Sequence, residues 1–444
     1  MLSLIVLNHF VFEMSMPLSR YCKIFRLPKD PKKVTLFSTL TMAAADVTPE
    51  VIQDIERGTL SPKEKKTLRH LGFLVNSLET ESRELLRYVD DVNAESSIFT
   101  AIVVLNLDCN LGCKYCYEGK RKGKHYMSAE TADDFADFIK SSVMKDKERL
   151  NLIFYGGEPL LSLDTIVRIA KEIRAAANKQ GVAFGFNLTT NGTLLTPQIV
   201  KKLKPFGLRS ANITLDGPRE VHDSFRPFKT GKGSFDTIVR NVKNVSLMID
   251  VHIGGNYTRD RHREFPRLLQ YLLRNGLGPD KIASVEFDPV FQESRKFAVP
   301  DFHEGCNSAN EPWLRDASTF LREEILRRGF LTQKIAPSVC AVEQRDNLVV
   351  NYDGTFYKCP GLVGRKKFCV GSLKKGILDY HKTHQIGSWK NKKCLACAYL
   401  PLCFGGCRYM KLLQDGTTRG VNCRKKYFDK TLAQFVAQDV RYNL

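Results

Sequence analysis

A chain of 444 residues is longer than one ordinary domain, and with 43% apolar residues and 2 Trp its composition is that of a soluble globular protein. Lys and Arg outnumber Asp and Glu by 68 to 48, a formal charge of +20 that is compatible with nucleic acid, an anionic surface or an acidic peptide. The basic residues are dispersed, with short clusters at 120–124, 365–367 and 390–393, so charge alone selects no partner.

The first twelve residues are apolar but lack a basic start and a small-residue cleavage site, and the run is too short to span a bilayer. Residues 1–18 therefore read as an extension ahead of the true start at Met14 or Met16. Residues 19–93 form a small unit with its linker. Residues 33–37 read as a strand. Thr48-Pro49 and Ser61-Pro62 each open a helix with a cap and a first-turn Pro, residues 68–75 close the unit, and 79–93 form a connecting helix.

From residue 100 apolar strand runs (100–107, 151–155, 184–190, 211–215, 251–257, 282–288) alternate with helical patterns (129–143, 163–178, 197–204, 235–248, 263–274). Such alternation predicts a parallel sheet with right-handed crossovers, with the chemistry on the loops that follow the strands. The first of those loops carries Cys109, Cys113 and Cys116 at C-x3-C-x2-C spacing. A disulfide would leave one thiol over, and a zinc site would want a fourth ligand close by. Three thiolates suit a 4Fe–4S cube with one iron left open, since such clusters are ordinarily ligated by four Cys. Gly156-Gly157-Glu158-Pro159 follows the second strand, where two glycines allow close backbone approach to a ligand and a carboxylate can hold an ammonium. Asn187 lies in the third strand run, before Thr190-Asn191-Gly192; Arg226 lies beyond the fourth strand, as does His222, which reads as structural.

Thirteen cysteines in so long a chain, clustered at ligand spacings, point to metal in a reducing cytoplasm rather than to a disulfide scaffold. The second array runs Cys340, Cys359, Cys394, Cys397, Cys403, Cys407 and Cys423, with Gly354 opening a G-x4-C element at Cys359. A zinc site at Cys394, Cys397, Cys403 and Cys407 is the simpler alternative. Cys22, Cys306 and Cys369 read as plain thiols.

The cysteine loop, Gly156-Gly157-Glu158-Pro159 and the second array together resemble the radical S-adenosylmethionine (SAM) superfamily with a C-terminal SPASM domain. The resemblance implies an α/β fold: a partial (β/α)6 TIM-like barrel at 98–310, a bridging helix at 311–338 and a Cys-rich iron–sulfur domain at 339–444. Residues 19–93 would be a winged-helix-like element of the kind that captures a leader peptide. Three 4Fe–4S clusters are implied. Cys109, Cys113 and Cys116 would hold the one that binds SAM. Cys394, Cys397, Cys403 and Cys423 would complete a second, and Cys340, Cys359 and Cys407 would hold a third with an open iron that Cys306 or Cys369 could also reach. SAM would be met by Tyr115 at the adenine, by Gly156, Gly157, Glu158 and Pro159 at the amino group, by Asn187 at the ribose and by Arg226 at the carboxylate. No single protein residue is implied as the catalytic group.

The chain, with its Phe225-Arg226-Pro227-Phe228 and Cys403-Phe404-Gly405-Gly406-Cys407, is further similar to geopeptide maturases of this group. That implies modification of a ribosomally made peptide, by a thioether or other cross-link, with a reductant such as flavodoxin or ferredoxin as partner and neither membrane nor nucleic acid. Anaerobic sulfatase maturases, which make formylglycine, carry an Asp after the Cys of the G-x4-C element and an eighth array Cys. This chain has Pro360 there and no such Cys. A non-radical electron-transfer protein is the other alternative.

Overall fold

The computed structural model describes residues 16–26, 30, 32–116, 118–292 and 304–444. Most of the apolar opening stretch, up to residue 15, lies outside them. Strands β1 (Cys22–Phe25), β2 (Val34–Ser38) and β3 (Ala44–Val47) form an antiparallel sheet in that order, followed by helices α1 (Pro49–Arg57) and α2 (Pro62–His70). Both helices begin where Pro and the preceding cap residue predict, and Ser61 and Glu64 close a reciprocal capping box on α2. Residues 68–75 turn at Gly72, whose φ is +78°, and reach the rest of the unit through one antiparallel bridge between Leu18 and Leu74. The connecting helix α3 (Leu78–Ala94) is capped by the Ser77 hydroxyl.

The six expected parallel strands are β4 (Ile98–Asn106), β5 (Arg149–Gly156), β6 (Ala183–Thr190), β7 (Leu208–Thr214), β8 (Asp250–Tyr257) and β9 (Ser284–Pro289). They lie side by side in sequence order, joined by α4 (Ala129–Phe138), α5 (Leu163–Gln180), α6 (Pro197–Leu203), α7 (Arg219–Phe225), α8 (Phe235–Val245) and α9 (Phe265–Arg274). One face of the strands, with Ala101, Val103, Leu105, Leu150, Leu152 and Phe154, packs under these helices in the main core. Alternate residues such as Val104 face the other way, into a second core shared with Val349, Tyr357, Leu362 and Met410 from the C-terminal region.

Three features depart from the sequence expectation. Helix α4 ends at Phe138 and passes into a π-turn over Ile139–Val143 instead of running on. Helix α7, seven residues long, has no counterpart among the expected helices at 197–204 and 235–248. The sheet also continues past β4, into the region expected to be a separate Cys-rich domain. Strand β10 (Asn347–Val350) pairs parallel with β4, and β11 (Thr355–Tyr357), β12 (Gly371–Ser372) and β13 (Gly376–Ile377) extend it antiparallel to ten strands. This pairing covers an edge that would otherwise present unpaired backbone groups. Helix α10 (Pro312–Leu326) lies over β9, and the C-terminal helix Lys425–Tyr442 packs on α10, where buried Arg322 pairs with Asp439. Among the described residues no helix is long and apolar enough to cross a membrane.

Candidate active site

The cysteine loop leaves β4 at Asn106 and is held as one half of a short ribbon. Gly112 N donates to Pro227 O (2.8 Å), Lys114 N to Phe225 O (3.0 Å) and Lys229 N to Asn110 O (3.0 Å). The Phe225–Phe228 stretch is thus the partner strand of the loop. Asp108 pins the loop's base, accepting from Tyr126 Oη (2.6 Å), Cys109 N (2.9 Å) and Lys229 Nζ (2.9 Å). These bonds, Tyr126's first, hold its carboxyl below the usual range.

Burial pushes the Cys109 thiol up to about 11 and raises Cys113. Burial works against the Lys122 ammonium, but the sulfurs of Cys116, Cys113 and Cys109 outweigh it and raise its pKa. The Lys122 ammonium thus lies in the field of all three sulfurs and closest to Cys116. Among the described residues no three His, Cys, Asp or Glu side chains close to single-ion spacing. A four-iron cube spreads its thiolates over separate corners, so that observation bears on a lone ion and not on a cluster.

The two glycines of Gly156-Gly157-Glu158-Pro159 let two stretches of backbone approach closely. A Cβ on Gly156, whose φ is +141°, would stand 2.3 Å from Asn106 O, and one on Gly157 would stand 2.2 Å from Asp108 O. The close approach they permit is to the cysteine loop itself, sealed by Gly157 N to Asn106 O (3.1 Å) and Glu158 N to Asp108 O (2.8 Å). The Glu158 carboxylate is held within its own chain. It is fully buried and accepts from Thr190 Oγ1 (2.7 Å), Asn191 N (2.8 Å) and Leu160 N (3.0 Å). Burial raises its pKa against those bonds. Pro159 opens the 3-10 turn that follows.

Glu158 thereby ties the end of β5 to the Thr190-Asn191-Gly192 turn, and that turn braces the cysteines. Asn191 Nδ2 reaches Cys109 Sγ (3.6 Å) and Asn110 Oδ1 (2.8 Å), while Gly192 adopts a φ of +81°. An Asn in the turn one strand away from the thiols was the available signal in the sequence. Asn187 sits further down β6 on the inner face, where its Oδ1 accepts from Ser210 Oγ (3.0 Å) beside a small cavity of about 270 Å³.

At the ends of β7 and β8, Arg226 Nη1 donates to Tyr115 Oη (2.8 Å), which donates to Asp216 and also accepts from Asn256 Nδ2 (3.1 Å). Tyr115 is therefore anchored by its hydroxyl. Buried Arg226 is aimed by a chain of bonds: Asp216 N donates to His222 Nδ1 (3.1 Å), His222 Nε2 meets Ser234 Oγ (3.0 Å), and Ser234 Oγ donates to Arg226 O (2.7 Å). Because Nδ1 accepts, Nε2 carries the ring proton. Burial, aided by Arg226, holds His222 well below its usual pKa and keeps it neutral, consistent with a structural role. The Arg226 Nε is buried with no hydrogen-bond partner. An unsatisfied guanidinium donor beside the thiols suits the carboxylate end of an amino-acid ligand.

The thiols of the C-terminal array act on one another's titration in two sets. Burial pushes Cys359 up to about 12 with Cys407 and Cys340 adding to it, and Cys340 is raised by burial and by Cys407. Separately, burial raises Cys397, with Cys423 and Cys394 beside it, and Cys403, with Cys423 beside it. Arg408, fully buried, joins the first group: Nη2 lies 2.5 Å from Glu343 Oε1, clamping the turn after Cys340 to the helix Arg408–Asp415 that Cys407 caps. Lys358 Nζ donates to Gln344 O (2.6 Å) and to Asn347 O, drawing Cys359 to the same turn. In Cys403-Phe404-Gly405-Gly406-Cys407 a Cβ on Gly406 would fall 2.1 Å from Asn422 O, next to Cys423. Of the spare thiols, Cys369 packs in the apolar cluster with Cys359 and Cys407, whereas Cys306 is buried in the barrel core.

The family model for the radical SAM superfamily matches residues 103–264. A serine-type anaerobic sulfatase-maturating enzyme of Bacteroides thetaiotaomicron is 31% identical over 337 residues, covering 67% of this chain and 80% of the relative. A cysteine-type enzyme of that kind from Clostridium novyi is 22% identical over 370 residues, 76% of this chain and 96% of the relative. Among solved structures, anSMEcpe with bound AdoMet and Cp18Cys peptide superposes with a TM-score of 0.59 at 19% identity, over 78% of this chain and 97% of that one. Streptococcus suis SuiB bound to precursor peptide SuiA superposes with a TM-score of 0.52 at 14% identity, over 92% and 99%. Both structures share the fold, and the sequence relatives carry the kinship: this chain belongs to the radical SAM superfamily.

Proposed function

We propose that this chain is a peptide maturase that installs a thioether or other cross-link in a ribosomally made precursor. Held by Cys109, Cys113 and Cys116, a 4Fe–4S cluster with SAM bound would supply a 5′-deoxyadenosyl radical to take hydrogen from the peptide. Arg226 Nε is the donor suited to the SAM carboxylate, with Tyr115, itself held by Asn256, fixing the guanidinium. Glu158 and Asn191 keep the cysteine loop in place. The groups Cys340, Cys359, Cys407 and Cys394, Cys397, Cys403, Cys423 are assigned to two auxiliary clusters. The antiparallel sheet of β1 to β3 is the candidate for capturing a leader by strand addition. An acidic electron carrier of the flavodoxin or ferredoxin kind, in a reducing cytoplasm, suits a chain of charge +20.

The observation that carries this reading is the sheet itself. The strand β11 leading to Cys359 hydrogen-bonds to β10, and β10 to β4, which runs directly into the cysteine loop. An auxiliary array so joined suits an enzyme whose substrate spans both sites. The formylglycine-forming alternative draws support from the relatives' names, but Pro360 offers no ionisable group where those enzymes carry Asp. Expression with each short peptide encoded beside the gene, followed by mass spectrometry, tests the proposal. Loss of one hydrogen pair per link is the expected result, and formylglycine in a sulfatase peptide would favour the alternative.

A further inference from the structure

Strand β9 ends the barrel with Ser284, Glu286 and Asp288 on one face. In the register with β8 these residues stand beside His252, Gly254 and Asn256. His252, Ser284 and Glu286 line the cavity of about 270 Å³ that Asn187 borders, so this is the inner face. The Asp288 backbone is one strand spacing, about 4.8 Å, from that of Asn256. Asn256 Nδ2 in turn donates to Tyr115 Oη (3.1 Å) and to Asp216 Oδ1 (3.3 Å). Asp288 is thus placed at the C-terminal strand ends, next to the network that holds Arg226.

Other carboxylates at these strand ends are taken up by donors of their own chain. Asp108 and Glu158 accept the bonds given above, and Asp216 accepts from Tyr115 Oη and from Asn256 N (2.8 Å). Among the described residues Asp288 has no hydrogen bond or ion pair, and desolvation alone raises its carboxyl. The groups that sense its charge are Glu286, Tyr257 and Tyr427, none of them a cation. Asp288 is nevertheless exposed, as is Glu286 one step down the same face. Accessibility together with desolvation describes a carboxylate at the floor of a recess.

We propose that Asp288 is the proton acceptor of the cross-linking reaction. The inference rests on the peptide-maturase reading and deepens it. Joining a carbon and a sulfur as a thioether breaks one C–H and one S–H bond. The C–H hydrogen leaves as an atom to the 5′-deoxyadenosyl radical, giving 5′-deoxyadenosine. The S–H proton leaves to Asp288 as the C–S bond forms, and one electron leaves to an oxidised acceptor of the iron–sulfur class. That proton needs a base, and Pro360, on the side of the array, has no ionisable group. A desolvated carboxylate with no cation to hold its charge takes up a proton more readily than an ordinary one.

The test uses the iron-loaded full chain, under anaerobic conditions, with the short peptide encoded beside the gene that wild type cross-links. Cross-linked peptide and 5′-deoxyadenosine are counted in the same reactions for wild type, Asp288→Asn and Asp288→Glu. Asp288→Asn keeps the shape and removes the base, so cross-linked product should fall about 100-fold or more. 5′-Deoxyadenosine should still form as in wild type, so its ratio to product rises by the same factor. Asp288→Glu should restore part of the product. A ratio in Asp288→Asn equal to that of wild type, or an equal loss of product and 5′-deoxyadenosine, overturns the proposal. If Asp288→Asn loses its iron–sulfur absorbance, Asp288→Ala decides by the same ratio, with added formate expected to restore product. A wild type that cleaves SAM but cross-links no such peptide counts against the maturase reading and takes this proposal with it. An unchanged ratio beside a cross-linking wild type counts against Asp288 alone.

Discussion

Replacing Arg408 by Met removes one half of a buried ion pair and should cost this protein an auxiliary cluster. The Arg408 side chain has no exposed surface and Glu343 has 5%, with 2.5 Å between their nearest nitrogen and oxygen. Arg408 also donates to His384 O (3.3 Å) and Gly405 O (3.3 Å), so the guanidinium fastens three segments at once. Removing one partner of such a pair leaves the other charged and desolvated, a loss of about 3–5 kcal/mol, whereas replacing both by apolar groups can be close to neutral. Glu343 belongs to the turn after Cys340, and Arg408 follows Cys407, so loosening the pair separates those two thiols. Arg408→Met should therefore lose about four irons per chain, keep SAM cleavage, and melt lower; Arg408→Met with Glu343→Leu should recover much of the melting temperature. Iron counting and thermal melts read both effects. Full iron content in Arg408→Met, or a double variant that melts no higher than the single one, would refute the clamp.

Three further outcomes follow from the geometry. Gly157→Ala forces a Cβ onto Asp108 O at 2.2 Å, so it should destabilise the cysteine loop by about 1–3 kcal/mol and lower the yield of the SAM-cleaving cluster, measured by iron content and 5′-deoxyadenosine. Asn191→Ala removes donors to Cys109 and Asn110 and should slow SAM cleavage about 10–100-fold while the C-terminal iron stays. His384 is buried and its pKa is lowered to about 4, mainly by desolvation. The unfolded imidazole, with a pKa of about 6.5, binds a proton over a range where the folded one does not, so stability rises with pH between about 4 and 6.5. Melting curves of wild type and His384→Phe across that window should diverge as pH falls, with wild type losing more; parallel curves would refute it.

The barrel was legible because its strands are apolar runs separated by amphipathic helices, a pattern set by which faces are buried. The thiol groupings were legible only through resemblance; burial and the neighbouring Cys407 and Cys340 raise the Cys359 thiol. What escaped the sequence were interactions decided by tertiary contact. Residues 347–350 are too few to announce that they complete the sheet beside β4, and residues 44–47, two of them Ala, carry little strand propensity. A sequence also cannot reveal that three donors from its own chain close around the Glu158 carboxylate.

The central claim is that three cysteine groups hold three clusters and that the first of them cleaves SAM. Its most direct test is anaerobic reconstitution with iron and sulfide, followed by dithionite and SAM, with iron counting and mass spectrometry of 5′-deoxyadenosine on the same preparation. Wild type should hold ~12 irons per chain and form 5′-deoxyadenosine; with Cys109, Cys113 and Cys116 all changed to Ala, about four irons and all of the 5′-deoxyadenosine should be lost. Zinc in place of iron, or an iron-replete chain that leaves SAM intact, would contradict it.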